Sequence, residues 1–324
     1  MIITINDRTI EASCDETLIE TAERAGFSIP SLCYAKGFEH RSSCMICAVK
    51  IRNGGQIVPS CATKPEEGMQ IDTESDEVKS IRRLSSELLL SDHRADCEAP
   101  CTTVCPQGAD VERILKYYDA GKFRDAFTLI EKSFRLPDLE CDNCKAPCEK
   151  ICRRGSIDKS VAVRRIVKET ASMFELSSEN AKNEPLQRNK IAFQSHLGRF
   201  TEEEKRYLKK SVSSPSGCLH CACAGKDKCK LRSCAALFGI KRTRYNLSSV
   251  LPVGKKISVT DKMRFEPAKC IRCGLCVYNG RDGFTFTNRG FGMQVIIPEE
   301  SRNNVDDNLT ELCPTGALYS VDNS

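Results

Sequence analysis

The sequence predicts an α+β multidomain protein assembled from four small modules rather than one large globule. Three observations carry this. The 324 residues include 21 cysteines; aromatic residues make up only 6% and tryptophan is absent, so no single large core matches the length. The cysteines also fall into separate groups, each beside its own short predicted elements. Modules this small bury too little surface to stand alone, and bound metal is a common staple. The expected boundaries are 1–75, 76–175, 176–245 and 246–324.

The opening residues, MIITINDRTIEAS, lack the basic start and apolar run of a secretory signal, and no stretch approaches 18 apolar residues. A cytoplasmic protein with no membrane insertion is therefore expected. In a reducing compartment so many cysteines argue for metal ligation over disulfides, and an odd number leaves at least one thiol unpaired. The formal charge of +5 counts side chains only, and metal-bound thiolates would shift it. Lys241-Arg242-Thr243-Arg244 reads as a solvated surface turn, so no nucleic-acid partner is expected.

In chain order, residues 2–5 and 8–12 read as two strands turning at Asn6-Asp7. Thr17–Ala25 follows as a helix with Asp15 as cap, Leu18, Ile19 and Ala22 on one face, and Gly26 as its stop. Cys33, Cys44, Cys47 and Cys61 are spaced C-x10-C-x2-C-x13-C, and AVKIRNGGQIVPS between the last two reads as a hairpin turning at Asn53-Gly54-Gly55. This order resembles the β-grasp 2Fe-2S ferredoxin domain of the large iron–sulfur subunit of respiratory complex I and of iron-only hydrogenases. The resemblance implies that these four thiols hold one 2Fe-2S centre. A zinc knuckle would space its first pair more closely.

Val78–Leu90 reads as an amphipathic helix with Ile81, Leu84, Leu88 and Leu89 on its apolar side. It leads into His93–Cys152, where one histidine and seven cysteines supply eight ligands, enough for two four-ligand sites. The segment opens with HRADCEAPCTTVCP and closes with CDNCKAPCEKIC; between them Val111–Phe134 reads as two helices broken at Ala120-Gly121. In the complex I subunit a similar helix leads into H-x3-C-x2-C-x5-C. Here His93-x3-Cys97 matches the opening and the continuation departs from it. That continuation, with GKFRDAFTLIEKS and CKAPCEKIC, resembles the two-cluster 4Fe-4S domain of the glutamate synthase small subunit and dihydropyrimidine dehydrogenase. The resemblance implies one centre on His93, Cys97, Cys101 and Cys152. It implies a second on Cys105, Cys144, Cys148 and a fourth ligand, for which Cys141 is the candidate. A surface histidine at a helix end is the other reading of His93.

Ile157–Ser172 and Leu186–Ser211 read as helices, the polar run 177–184 as a loop, and His196 as structural. The third group, SGCLHCACAGKDKCKLRSC, follows no strict motif. Its tightest set is Cys218, Cys221, Cys223 and Cys229, which suits a 4Fe-4S centre, a zinc ion or unmetallated thiols, and leaves His220 and Cys234 spare. From Phe265 the chain reads FEPAKCIRCGLCVYNG and later LCPTGAL, which resembles half of a bacterial ferredoxin. This single-cluster ferredoxin-like domain implies a 4Fe-4S centre on Cys270, Cys273, Cys276 and Cys313, with Gly280 where the cysteine for a second cube would stand. Gly290 and Gly292 look like part of a hairpin, and Cys14 is left over.

There is no G-x-G-x-x-G after a strand and no G-x4-G-K-[ST], so no flavin or nucleotide site is expected in this chain. No catalytic site of its own is evident. One 2Fe-2S and three or four 4Fe-4S centres imply an electron-transfer subunit between an NAD(P)H-binding flavoprotein and a second redox partner. The competing reading is a metal-stapled, redox-responsive scaffold.

Overall fold

The computed structural model describes residues 1–136, 139–174, 200–241, 255–281 and 283–321. They form two compact units: Met1–Arg94 with the described residues from Ala224 onward, and Ala95–Cys223. Both helix and sheet are present. The loop 177–184, all of 186–199 including His196, and Arg242-Thr243-Arg244 lie outside the described residues.

The first unit opens with a five-stranded sheet in the order β2-β1-β5-β3-β4. β1 (Ile2–Ile5) pairs antiparallel with β2 (Arg8–Glu11), Ile3 opposite Ile10. Asn6 and Asp7 turn the chain with positive φ (48° and 68°), the region Asn and Asp tolerate best after glycine. β3 (Ala48–Ile51) and β4 (Ile57–Pro59) form the second hairpin, and β5 (Gln70–Asp72) joins the two by pairing parallel with β1 and antiparallel with β3. Ile3, Ile5, Leu18, Ala22, Val49 and Ile71 make the core beneath the helix Leu18–Arg24.

That helix is capped by Thr17, not Asp15. Thr17 stands three residues before Glu20, and their side chains and backbones reciprocate in a capping box; Thr17 N–H donates to Glu20 Oε2 at 2.8 Å. The long helix Asp76–Ser91 also turns a different face inward from the one its leucines predict. Val78, Arg82, Ser86 and Leu90, one turn apart, are buried, while Leu84 and Leu88 are exposed. Arg82 decides this orientation, because its Nε donates to the Ala48 carbonyl at 3.0 Å.

The C-terminal half of the first unit holds a sheet in which β7 (Met263–Phe265) lies between β6 (Ile257–Ser258) and β10 (Leu318–Ser320). A hairpin of β8 (Thr285–Thr287) and β9 (Gln294–Ile296) turns through Gly290–Gly292. Met263, Phe265, Phe284, Val295, Leu309 and Leu318 fill its core. The helix Lys230–Leu237 returns to the loop after Cys313, where Lys230 N–H donates to Pro314 O at 2.9 Å and a Cβ on Gly225 would meet the Gly316 backbone at 2.6 Å.

The second unit is helical. Val111–Asp119 and Phe123–Ser133 are separated at Ala120-Gly121, where Gly121 takes φ +70°. Both pack on Val163–Ser172 through Ile114, Leu115, Ala126, Ile130, Ile166 and Val167. This third helix starts at Val163 rather than Ile157, because Asp158 is taken up pairing with Arg154 and the intervening residues are not helical. Of the expected helix ending at Ser211, the described part is Glu202–Ser211, capped by Thr201 and Glu204. The ends of the unit meet: Asp96 bridges Ala222, and Cys223 N–H donates to Asp96 O at 3.1 Å. Among the described residues no helix is long and apolar enough to cross a membrane.

Candidate metal centres

Both ends of the β3–β4 hairpin carry thiols, Cys47 entering it and Cys61 leaving it, and the preceding loop brings Cys33 and Cys44 to them. All four are buried. Cys33 and Cys44 approach to 3.2 Å between sulfurs. Hydrogen bonding with Cys61 holds the Cys47 thiol down at about 6, while Cys33 and Cys47 push Cys61 up. Ser42 and Met45 turn the loop with positive φ. Beside this set sits Arg82, 4% exposed, with Nη2 lacking any partner. Burial lowers its pKa, and the nearby Glu74 and Cys47 oppose that. A buried cation without a hydrogen-bonded anion is costly, and an anionic, thiolate-bound centre supplies the missing charge.

In the helical unit, Cys105, Cys141, Cys144 and Cys148 line one cavity of about 230 Å³, walled also by Val111 and Phe134. Burial, then Cys105, pushes Cys141 up to about 12 and Cys148 up to about 11. A second cavity brings Cys101 and Cys152 together with Cys218 and Cys221. Burial raises Cys101 and Cys218, with Cys221 adding to both, and burial pushes Cys221 up to about 12 against the pull of Arg153. Cys97 does not line this cavity, and His93 belongs to the other unit. The loop bearing Cys218 and Cys221 is held by His220, whose N–H donates to Cys218 Sγ at 3.3 Å. Its ring lies between Glu112 Oε1 (3.2 Å) and Asp119 Oδ2 (3.1 Å). Arg154 adds a hydrogen bond to Gly217 O, and Arg153 pairs with Asp96.

The third cysteine group is thus divided. Cys218 and Cys221 face Cys101 and Cys152; Cys223 sits at the chain exit of the helical unit; Cys229 and Cys234 lie in the other unit. Spacing alone groups Cys218 and Cys221 with Cys223 and Cys229 and carries no sign of their meeting with Cys101 and Cys152.

Cys270, Cys273, Cys276 and Cys313 gather in the C-terminal half of the first unit. Burial, followed by their mutual repulsion, raises Cys273 and Cys276, and burial pushes Cys270 up to about 12. Arg272 N–H donates to Cys270 Sγ at 3.3 Å, and Arg272 pairs with Asp92. Gly280 has no room for a Cβ, which would strike the Cys276 carbonyl and come within 2.9 Å of Leu309. His93 is buried with Nδ1 lacking a partner, and burial, then Lys269, holds its pKa down at about 4.

Each of the four sets provides four sulfur donors, and burial disfavours the thiolates of Cys101, Cys141, Cys148, Cys218, Cys221, Cys270, Cys273 and Cys276 without a compensating cation. Among the described residues no three His, Cys, Asp or Glu side chains converge tightly enough for a single ion. The two thiol-lined cavities carry the donor set of a multi-iron centre.

Comparison with known proteins agrees with this chemistry. Residues 1–76 match the 2Fe-2S iron–sulfur cluster binding domain, and residues 76–178 match dihydropyrimidine dehydrogenase domain II, 4Fe-4S cluster. The mitochondrial NADH-ubiquinone oxidoreductase 78 kDa subunit of Candida albicans is 30% identical over 127 residues, 38% of this chain and 17% of that protein. NADP-reducing hydrogenase subunit HndD of Solidesulfovibrio fructosivorans is 33% identical over 166 residues, 47% of this chain and 27% of that one. The match therefore spans only 17% and 27% of these two relatives. The fold also resembles a chain of an NAD+-reducing [NiFe]-hydrogenase crystallised in the H2-reduced state, with TM-score 0.54 and 15% identity, covering 99% of this chain and 87% of that one. The chain carries 2Fe-2S and 4Fe-4S domains in sequence and is similar to a subunit of NADH-ubiquinone oxidoreductase and a subunit of NADP-reducing hydrogenase.

Proposed function

We propose that this chain relays single electrons between an NAD(P)H-binding flavoprotein and a second redox partner, as one subunit of a larger complex. The carrying observation is the segregation of sixteen cysteines into four enclosed four-thiol sets across two units. Iron–sulfur centres supply one-electron chemistry; the chain's own residues hold them, exclude water and set their charge. The ligand sets are Cys33, Cys44, Cys47 and Cys61 for the 2Fe-2S centre, then three for 4Fe-4S centres. These are Cys101, Cys152, Cys218 and Cys221; Cys105, Cys141, Cys144 and Cys148; and Cys270, Cys273, Cys276 and Cys313.

His93, Cys97, Cys223 and Cys229 remain. In sequence order they read H-x3-C followed by C-x5-C, the complex I run with residues 98–222 in place of its x2. The four modules 1–75, 76–175, 176–245 and 246–324 remain the proposed domain plan.

Iron, acid-labile sulfide and zinc per chain in anaerobically purified protein, with EPR after dithionite reduction, test this. About fourteen to eighteen irons, from one two-iron and three or four four-iron centres, are expected. Little iron after reconstitution sinks the relay and leaves the scaffold reading.

A further inference from the structure

Asp119 gathers a loop from far down the chain. It is the last residue of the helix Val111–Asp119, and its side chain is only 8% exposed. Ser216, 97 residues away, donates to both of its oxygens: backbone N–H to Oδ1 at 2.6 Å and Oγ–H to Oδ2 at 2.7 Å. Ser216 Oγ in turn accepts from Cys218 N–H at 3.0 Å. Glu112 stands two helical turns before Asp119, so both carboxylates lie on one face, and the His220 ring fits between them. A buried carboxylate is tolerated when hydrogen-bond donors surround it; here they come from the segment that carries Cys218 and Cys221. Two left-handed residues bend that segment, Gly217 at φ +71° and His220 at φ +48°. A Cβ at Gly217 would strike the Arg154 guanidinium, which hydrogen-bonds the Gly217 carbonyl. All these residues belong to one unit. The same helix walls both thiol-lined cavities of that unit, Val111 in one and Glu112 with Leu115 in the other. The first cavity draws its thiols from residues 105–148, whereas the second takes two of its four from the loop that Asp119 holds.

We propose that Asp119 is a positioning residue that latches Cys218 and Cys221 into place opposite Cys101 and Cys152, acting through Ser216 and His220. The proposal rests on the relay reading and deepens it by naming what assembles one of its centres. Asp119 binds the backbone and side chain of Ser216 and faces the imidazole of His220, and reaches the thiols through these alone. The centre on Cys101, Cys152, Cys218 and Cys221 therefore depends on the latch, and its neighbour on Cys105, Cys141, Cys144 and Cys148 does not.

The test uses the full reconstituted chain, with EPR after dithionite reduction and iron per chain as readouts. The signal lost in Cys218→Ser marks the latched centre, and the signal lost in Cys148→Ser marks its neighbour. Asp119→Ala should lose the first signal and up to about four irons while keeping the second. Gly217→Ala, which pushes the loop off Arg154 from the opposite side, should give the same selective loss. Asp119→Asn retains one acceptor oxygen for Ser216, so it should keep the centre but surrender its iron to a chelator several-fold faster than the unaltered chain. Loss of both signals together in Asp119→Ala would show that the residue merely supports the helix walling both cavities, and would overturn the proposal. Full retention of the first signal in Asp119→Ala would overturn it as well. If Asp119→Ala does not fold, Gly217→Ala decides by the same two signals. Loss of different signals in Cys101→Ser and Cys218→Ser would instead overturn the ligand assignment, and the latch with it.

Discussion

Arg82 and Cys47 share one buried wall. The arginine donates through Nε to the Ala48 carbonyl at 3.0 Å and leaves Nη2 unpartnered beside the thiol of the preceding residue. A fixed positive charge there favours the more negative, reduced state of a neighbouring centre. Arg82→Leu should therefore lower the 2Fe-2S midpoint potential. One unit charge at an effective dielectric constant of ~20 is worth on the order of 1–3 kcal/mol, or about 40–130 mV for one electron. A redox titration followed by EPR reads this directly; an unmoved potential would mean that Arg82 serves packing alone.

The second cavity predicts a shared phenotype for distant cysteines. Cys101→Ser, Cys218→Ser and Cys221→Ser should each cost the same 4Fe-4S signal and up to about four irons, while Cys234→Ser leaves iron content unchanged. Loss of a different signal in Cys218→Ser than in Cys101→Ser would separate these residues.

His93 makes stability depend on pH. Its pKa is held at about 4 by burial, below an ordinary value of 6.5, so the unfolded chain binds the proton more readily. The contribution is intact above pH 6.5, declines as pH falls, and is fully lost below 4. Between pH 7 and pH 5 the loss should be about 2 kcal/mol. Denaturation midpoints at the two pH values, compared with His93→Gln, check this. Metal ligation by the same ring would act with the same sign, since a proton competes for the nitrogen. A potential measurement separates the two roles, because His93→Cys should lower the midpoint of a histidine-ligated centre by adding a negative ligand.

Gly280→Cys should fail to restore a second cube. Any Cβ there strikes the Cys276 carbonyl and Leu309, so the expected result is a lower melting temperature, on the order of 1–3 kcal/mol of overpacking cost, with no gain in iron.

Local pattern made much of this chain legible. Two hairpins, the helix break at Ala120-Gly121 and the turn through Gly290–Gly292 follow from alternation and turn chemistry over a few residues. So do the compact runs Cys141–Cys148 and Cys270–Cys276, whose members lie within a turn or two of each other. The helix face at Arg82 was not legible, because counting leucines cannot foresee a buried guanidinium bound to another strand's carbonyl. Nor was Thr17 preferred over Asp15 until Glu20 was seen to answer it. Cys101 and Cys218, more than a hundred residues apart, meet only because three helices pack between them, and spacing carries no record of that.

The pairing of Asp96 with Ala222 and Cys223 places the first and last residues of the helical unit side by side. A segment that enters and leaves at one point behaves as a cassette: it can be spliced into a host chain, or cut from it, without rethreading anything around it. Such an arrangement leaves the chain path of the other unit the same whether the helical segment is long or short.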